Sequence, residues 1–241
     1  MFYRRMRGFA VTLMVLLAVT VTTFARPDNE QKRGAQVVTP LNLAILIQDD
    51  LVSQVGNELN VTREFIRSLP RGSRVMVGYI TTGSLQVRQP FTTDLESAAG
   101  SLRIPTASTS ASPFNPYVEL IEALRKFDGG SEGTNAVLLI SDGLDVSRGF
   151  DASSAGNTVD LHRAIKNAND RNVAVYTFYA PSVGLTSRNR LAASYGQSSL
   201  SRLAAETGGR AFFQGATGFV TFDSYFRRLR EALNEQYAKA T

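Results

Sequence analysis

From Leu41 onward the chain alternates short apolar runs with amphipathic stretches, and that alternation limits the folds open to its 241 residues more than any other feature. Leu41–Ile47 (LNLAILI), Ala136–Ile140 (AVLLI) and Val173–Tyr179 (VAVYTFY) are nearly continuous apolar runs. Such runs are expected of parallel strands buried on both faces. Arg74–Ile80 and Ser84–Phe91 flank Thr82-Gly83, which reads as a hairpin and makes this pair antiparallel. Ala211–Gln214 supplies a last strand. Between the strands, apolar residues recur at helical spacing in Ser53–Leu69, Asp94–Leu102, Tyr117–Phe127, Thr158–Asp170, Ser199–Glu206 and Thr221–Tyr237. The pattern predicts an α/β fold: a doubly wound, mostly parallel six-stranded sheet with one antiparallel strand and helices on both faces.

Local signals sharpen the boundaries. Asn115 followed by Pro116 is an N-cap with proline at the first helical position, and Pro70 closes the first helix. The stretches 104–116, 143–157 and 180–198 are rich in Ser, Thr and Gly and read as long loops at one end of the sheet.

The N-terminus has its own character. Arg4, Arg5 and Arg7 precede an uncharged run from Phe9 to Ala25, the pattern of a secretory signal peptide cleaved after Ala25 or of an N-terminal anchor. Residues 26–40 read as a polar tether, and 41–237 as the folded domain. This predicts an exported protein, secreted, periplasmic or envelope-associated, with membrane contact only if residues 9–25 stay uncleaved. The formal charge is +5, from 26 basic and 21 acidic residues. Without residues 1–25, which carry three Arg and no acid, 23 basic residues face 21 acidic ones, a net of +2. Nucleic-acid binding is therefore not expected.

Composition excludes much chemistry. There is no Cys and one His, so thiol catalysis, cysteine-bound metal and multi-histidine centres are out. No Gly-x-Ser-x-Gly elbow, dinucleotide-type Gly-x-Gly-x-x-Gly or phosphate-binding loop is present, and His162 lies outside any motif. Open α/β sheets bind ligands beyond the carboxyl ends of their strands. There the chain places Asp49, Asp50 and Ser53 after the first strand and Asp142 after the fourth. Oxygen donors so arranged suit Mg²⁺ or another divalent cation, and equally serve as turn and helix caps.

The segments AVLLISDG (136–143), NVAVYTFYA (172–180) and LSRLAAETGGRAFF (200–213), in this order of elements, resemble a von Willebrand factor A (VWA) domain. The opening LNLAILIQDD and the stretch 67–94 are most similar to the bacterial exported VWFA-related subfamily. The resemblance implies a metal-ion-dependent adhesion site: Asp-x-Ser-x-Ser after the first strand, a Thr from a loop, and an Asp after the fourth strand. Asp142 matches the last. One register puts Gln48 at the first position; a shift of one restores Asp49 and Ser53 but leaves Leu51 in the middle. The Thr position falls on Val118, with Ser110 and Ser112 the nearest loop hydroxyls.

The resemblance thus implies a protein-binding or adhesion module with a degenerate metal site, engaging a protein or cell-envelope partner through the strand-end loops. Ser112, Phe114 and Tyr117 are candidate partner-binding residues, with Phe150 a further apolar anchor. The alternatives are a metal-assisted hydrolase using Asp49, Asp50 and Asp142, and a structural envelope protein with a vestigial site.

Overall fold

The computed structural model describes residues 37, 39–107, 114–127, 133–150, 158–213 and 221–240. The proposed signal peptide, most of the tether, and Ser110 and Ser112 lie outside them. Strands β1 (Leu41–Gln48), β2 (Arg74–Thr81), β3 (Ser84–Thr92), β4 (Thr134–Ser141), β5 (Ala174–Tyr179) and β6 (Ala211–Phe212) form one sheet, ordered β3-β2-β1-β4-β5-β6. All neighbours pair parallel except β2 and β3. The helices are α1 (Leu59–Arg67), α2 (Leu95–Gly100), α3 (Pro116–Leu124), α4 (Val159–Asp170), α5 (Arg190–Glu206) and α6 (Asp223–Ala240).

The continuous apolar runs are the central strands because each must satisfy two cores. Successive side chains leave a strand on opposite faces. In β1, Leu43, Ile45 and Ile47 enter the layer covered by α1, α2 and α6, while Ala44 and Leu46 enter the layer under α3, α4 and α5. An aromatic cluster fixes α6: the Phe178 ring meets Phe212, Phe222, Tyr225 and Phe226, and Phe226 stacks on Phe65 at 4.5 Å. At the edge, β3 alternates between exposed and covered residues and carries Pro90, as an edge strand allows. Val37, ahead of β1, is buried against the first core layer.

The Asn115 cap holds as expected: it accepts from the N–H groups of Tyr117 and Val118, with Pro116 at the first helical position. Thr158, expected inside the helix, instead caps α4 by accepting from Leu161 N–H. Two elements differ. The helix expected over 53–69 divides into a 3-10 turn, Ser53–Glu58, and α1. The loop expected over 180–198 ends early, since α5 already begins at Arg190, capped by Asn189. Its first half is short of strong apolar residues because it passes close to another backbone. A Cβ on Gly196 would lie 1.9 Å from the Asp142 carbonyl oxygen, so only glycine lets this helix lie there.

Candidate functional site

β1 and β4 are neighbours at the point where the chain's connections diverge to the two halves of the sheet, and this is where a crevice opens beyond the strand ends. Gln48 closes β1 and Ser141 closes β4. The Gln48 carboxamide spans them: Oε1 accepts from the Ser141 hydroxyl at 2.5 Å and from the Asp142 N–H at 3.3 Å, and Nε2 donates to Asp50 at 2.7 Å. A neutral amide thus stands at the strand end where the resemblance implies an aspartate. Asp50, two residues on, is the carboxylate turned toward Asp142.

Asp49 is turned the other way. Arg103 grips its carboxylate with both terminal nitrogens, at 2.6 and 3.0 Å. The Thr106 N–H and hydroxyl donate to the same carboxylate, each at 3.0 Å. The guanidinium is held over the Tyr79 ring, 4.1 Å from its centroid, and the Tyr79 hydroxyl donates to the Arg103 carbonyl at 2.6 Å. Burial alone would raise the Asp49 pKa; the bonds from Arg103 and Thr106 outweigh it and hold the group below the usual carboxylate range.

Among the described residues, Asp50 and Asp142 have no such counter-ion. The backbone around Asp50 is pinned by an antiparallel bridge between Leu51 and Ser182, with Val183 N–H donating to the Asp50 carbonyl. Leu51 is fully buried, which explains an apolar residue in the middle of the motif. Asp142 accepts from Leu144 N–H at 3.1 Å and from the Thr186 hydroxyl at 3.4 Å, and Ser182 adds a further hydrogen bond. Burial, joined by the charge of Asp142, pushes Asp50 up to about 7. Burial also raises Asp142, despite its hydrogen bonds.

The remaining candidates scatter. Ser53 opens the 3-10 turn and is exposed, with no hydrogen bond to any of the three aspartates. Phe114 and Tyr117 are not surface anchors: they are 5% and 1% exposed and belong to the core layer under α3, α4 and α5. Tyr117 donates its hydroxyl to the Gly143 carbonyl, so it supports the β4 loop from below. Phe150 is half-buried, 6.4 Å from the Tyr195 ring, and His162 is exposed on α4. Arg103, Thr106, Ser182 and Thr186 complete the site without any local signal in the sequence. Arg103 lies 54 residues from Asp49, and no motif joins them.

The adhesion-site arrangement implies a divalent ion, and the donors here do not fit one. Gln48 stands at the first aspartate position and aims an N–H at Asp50, Val52 replaces the last hydroxyl, and Asp49 on the other side is saturated by an arginine. Among the described residues, no cluster of three or more acidic or histidine side chains could hold a metal ion. Octahedral Mg²⁺ needs oxygen lone pairs facing it, not a guanidinium and an amide N–H beside it.

A β3-β2-β1-β4-β5-β6 sheet with β3 alone antiparallel, three helices on each face, and acids at the switch point is the VWA fold. Solved structures share it. BatB, a conserved hypothetical protein from Bacteroides thetaiotaomicron, aligns over 83% of this chain and 98% of its own, at TM-score 0.57 and 14% identity. An aerotolerance-related membrane protein from Bacteroides fragilis, solved with multiple mutations to serine, aligns over 81% and 98%, at TM-score 0.54 and 14% identity. The human COPII-coat protein Sec24c aligns over 81% of this chain and 32% of its own, at TM-score 0.53 and 11% identity. At such identities the likeness is one of fold. No protein-family model matches the chain, and no curated protein matches it.

Proposed function

We propose that this VWA-type domain is a non-enzymatic protein-interaction module of the cell envelope, and that its strand-end face binds without a divalent ion. The observation that carries the reading is the Gln48 carboxamide, which spans the ends of β1 and β4 where an adhesion site would place an aspartate and aims an N–H at Asp50. Asp49, the carboxylate beside it, is taken up by Arg103 on the other side. The only His is exposed on α4 and bonds to none of the three aspartates, so a histidine–carboxylate catalytic pair is missing among the described residues.

Two features support the envelope placement: the basic-then-apolar start of the chain, and the likeness in fold to a protein described as an aerotolerance-related membrane protein. No helix among the described residues is long and apolar enough to cross a membrane. The test is capture from the native envelope with the tagged full chain, in Mg²⁺ and in chelator. The same protein should be retained to the same extent in both. Release by chelator would overturn the metal-free reading, and no specific capture in either would overturn the interaction reading.

A further inference from the structure

The large apolar side chains left exposed on this molecule are not scattered. Among the described residues they are Ile104, Val118, Val159, Leu191 and Phe213, and all five lie at the carboxyl pole of the sheet. Ile104 follows Arg103 beside the end of β1, and Phe213 follows the end of β6. Val118, Val159 and Leu191 occupy the first turns of α3, α4 and α5. Exposed apolar side chains are ordinary when single; gathered at one end, they mark a contact surface.

The last three form a row. α3, α4 and α5 lie side by side over one core layer, with α3 tied to α4 at their starts and α4 to α5 at their far ends. The Asn115 amide donates to Asp160 at 2.9 Å, joining the start of α3 to that of α4. At the other end, the Asn169 amide of α4 donates to the Glu206 carbonyl of α5 at 3.1 Å. Packed helices stand about 8–10 Å apart, so the row carries an apolar side chain roughly every 10 Å over some 20 Å.

Among the described residues, positive charge is in excess beside the row. Arg148, in the loop after β4, and Arg188 and Arg190, at the entry to α5, are exposed and take part in no ion pair among the described residues. The acidic neighbours are engaged. Asp160 is bonded by Asn115 and Arg163, Asp145 accepts from Ser147 N–H and hydroxyl, and Glu122 lies 3.8 Å from Lys126. Among the described residues, three unpaired arginines thus outnumber the one of these acids without a cationic partner, Asp145, beside the apolar row.

We infer that the row Val118–Val159–Leu191, flanked by Arg148, Arg188 and Arg190, docks an acidic segment of a partner protein bearing apolar side chains about 10 Å apart. The inference rests on the interaction-module reading and names the partner's chemistry. The apolar residues supply the buried area, and the arginines select carboxylates and speed the encounter.

The test pans a random-peptide display library against the full chain and measures the recovered peptides on purified variants by fluorescence anisotropy. Peptides enriched in Asp or Glu together with Leu, Ile or Phe are expected. Their affinity should fall by at least about tenfold on Val159→Asp/Leu191→Asp, and comparably on Arg188→Glu/Arg190→Glu. Aspartate is tolerated in a helix's first turn, so circular dichroism should show these variants folded. Recovered peptides that are not acidic, or that bind the variants equally well, overturn the inference. If they depend on the strand-end crevice instead, tested with Asp50→Ala, the interaction reading survives and this one fails. If no peptide is recovered, both fail. Self-association through the row in sedimentation, or Arg188- and Arg190-dependent binding to phosphatidylglycerol vesicles without peptide binding, would assign the surface to another occupant.

Discussion

Asp49 and Asp50 are consecutive residues at the end of the central strand, and they sit in opposite surroundings. Asp49 is 7% exposed and receives hydrogen bonds from Arg103 and Thr106. Asp50 is half-buried, receives a side-chain bond from Gln48 alone, and shares its space with the buried carboxyl of Asp142. One carboxyl is therefore held below its usual pKa and the other is pushed up to about 7. Successive side chains leave an extended strand on opposite faces, and in the turn that follows β1 a one-residue step still carries the side chain from a cation to an anion. Identical chemistry at adjacent positions thus yields a structural ion pair on one side and an unneutralised acid pair on the other.

The largest expected effect comes from breaking the Asp49 side. Arg103→Ala leaves a buried carboxylate without its counter-ion, a change that costs more than the pair itself contributes. The Arg103 side chain is 27% exposed, so water reaches the site and the loss should be below that of a fully buried pair, roughly 2–3 kcal/mol. Urea unfolding near neutral pH measures it. Asp49→Asn/Arg103→Met should lose less than the two single changes together, because neither partner is stranded. A loss under about 0.5 kcal/mol for Arg103→Ala would mean that the pair behaves as a surface contact.

An intermediate effect separates the two carboxyls by pH. For Asp49, with a lowered pKa, the stabilisation is complete above the ordinary value of 3.8 and is lost as pH falls through the lowered one. For Asp50 the sign reverses: its contribution is greatest below 3.8 and is lost as pH rises toward about 7. Asp142 and Glu119, both raised by burial, have the same sign as Asp50. Urea stability should therefore decline from about pH 5 to about pH 8, and Asp50→Asn should remove on the order of 2 kcal/mol of that decline. Parallel profiles for wild type and Asp50→Asn would show that Asp50 is not held in its acid form.

The same contrast separates what the sequence discloses from what it hides. Period and composition are local, so the six strands, the Asn115-Pro116 cap and the antiparallel hairpin can be read from neighbouring residues. The strand-end location of Asp49, Asp50 and Asp142 follows from the fold. Their partners do not: Arg103 reaches Asp49 across a loop, and Ser182 and Thr186 reach Asp142 from beyond β5. Gly196 is a comparable case. In sequence it weakens a helix; in space it is the one residue that fits against the Asp142 carbonyl. Phe114 and Tyr117 looked available because they border a polar loop, yet Tyr117 also belongs to the apolar stripe of α3, and that role prevails.

The smallest expected effect tests whether a few side chains alone keep a divalent ion from the strand ends. Gln48→Asp/Asp50→Ser/Val52→Ser writes the Asp-x-Ser-x-Ser pattern onto β1 without touching the Arg103–Asp49 pair. The change keeps one carboxylate in the segment 48–50 facing Asp142 but moves it to the strand end, and it removes the Gln48 N–H that now points at Asp50. If the side chains alone exclude the ion, the grafted chain should gain about 1.4 kcal/mol when Mg²⁺ is ten times its dissociation constant. In a melting experiment that is a shift of a few degrees for a domain of this size. The wild type should not move in the same titration. A shift in the wild type would mean that Asp50 and Asp142 accept a divalent ion as they stand, and the metal-free reading would fall. No shift in either would place the obstacle in the backbone: the bridge between Leu51 and Ser182 holds residues 50–52 against the loop after β5, and new side chains there would still face the wrong way.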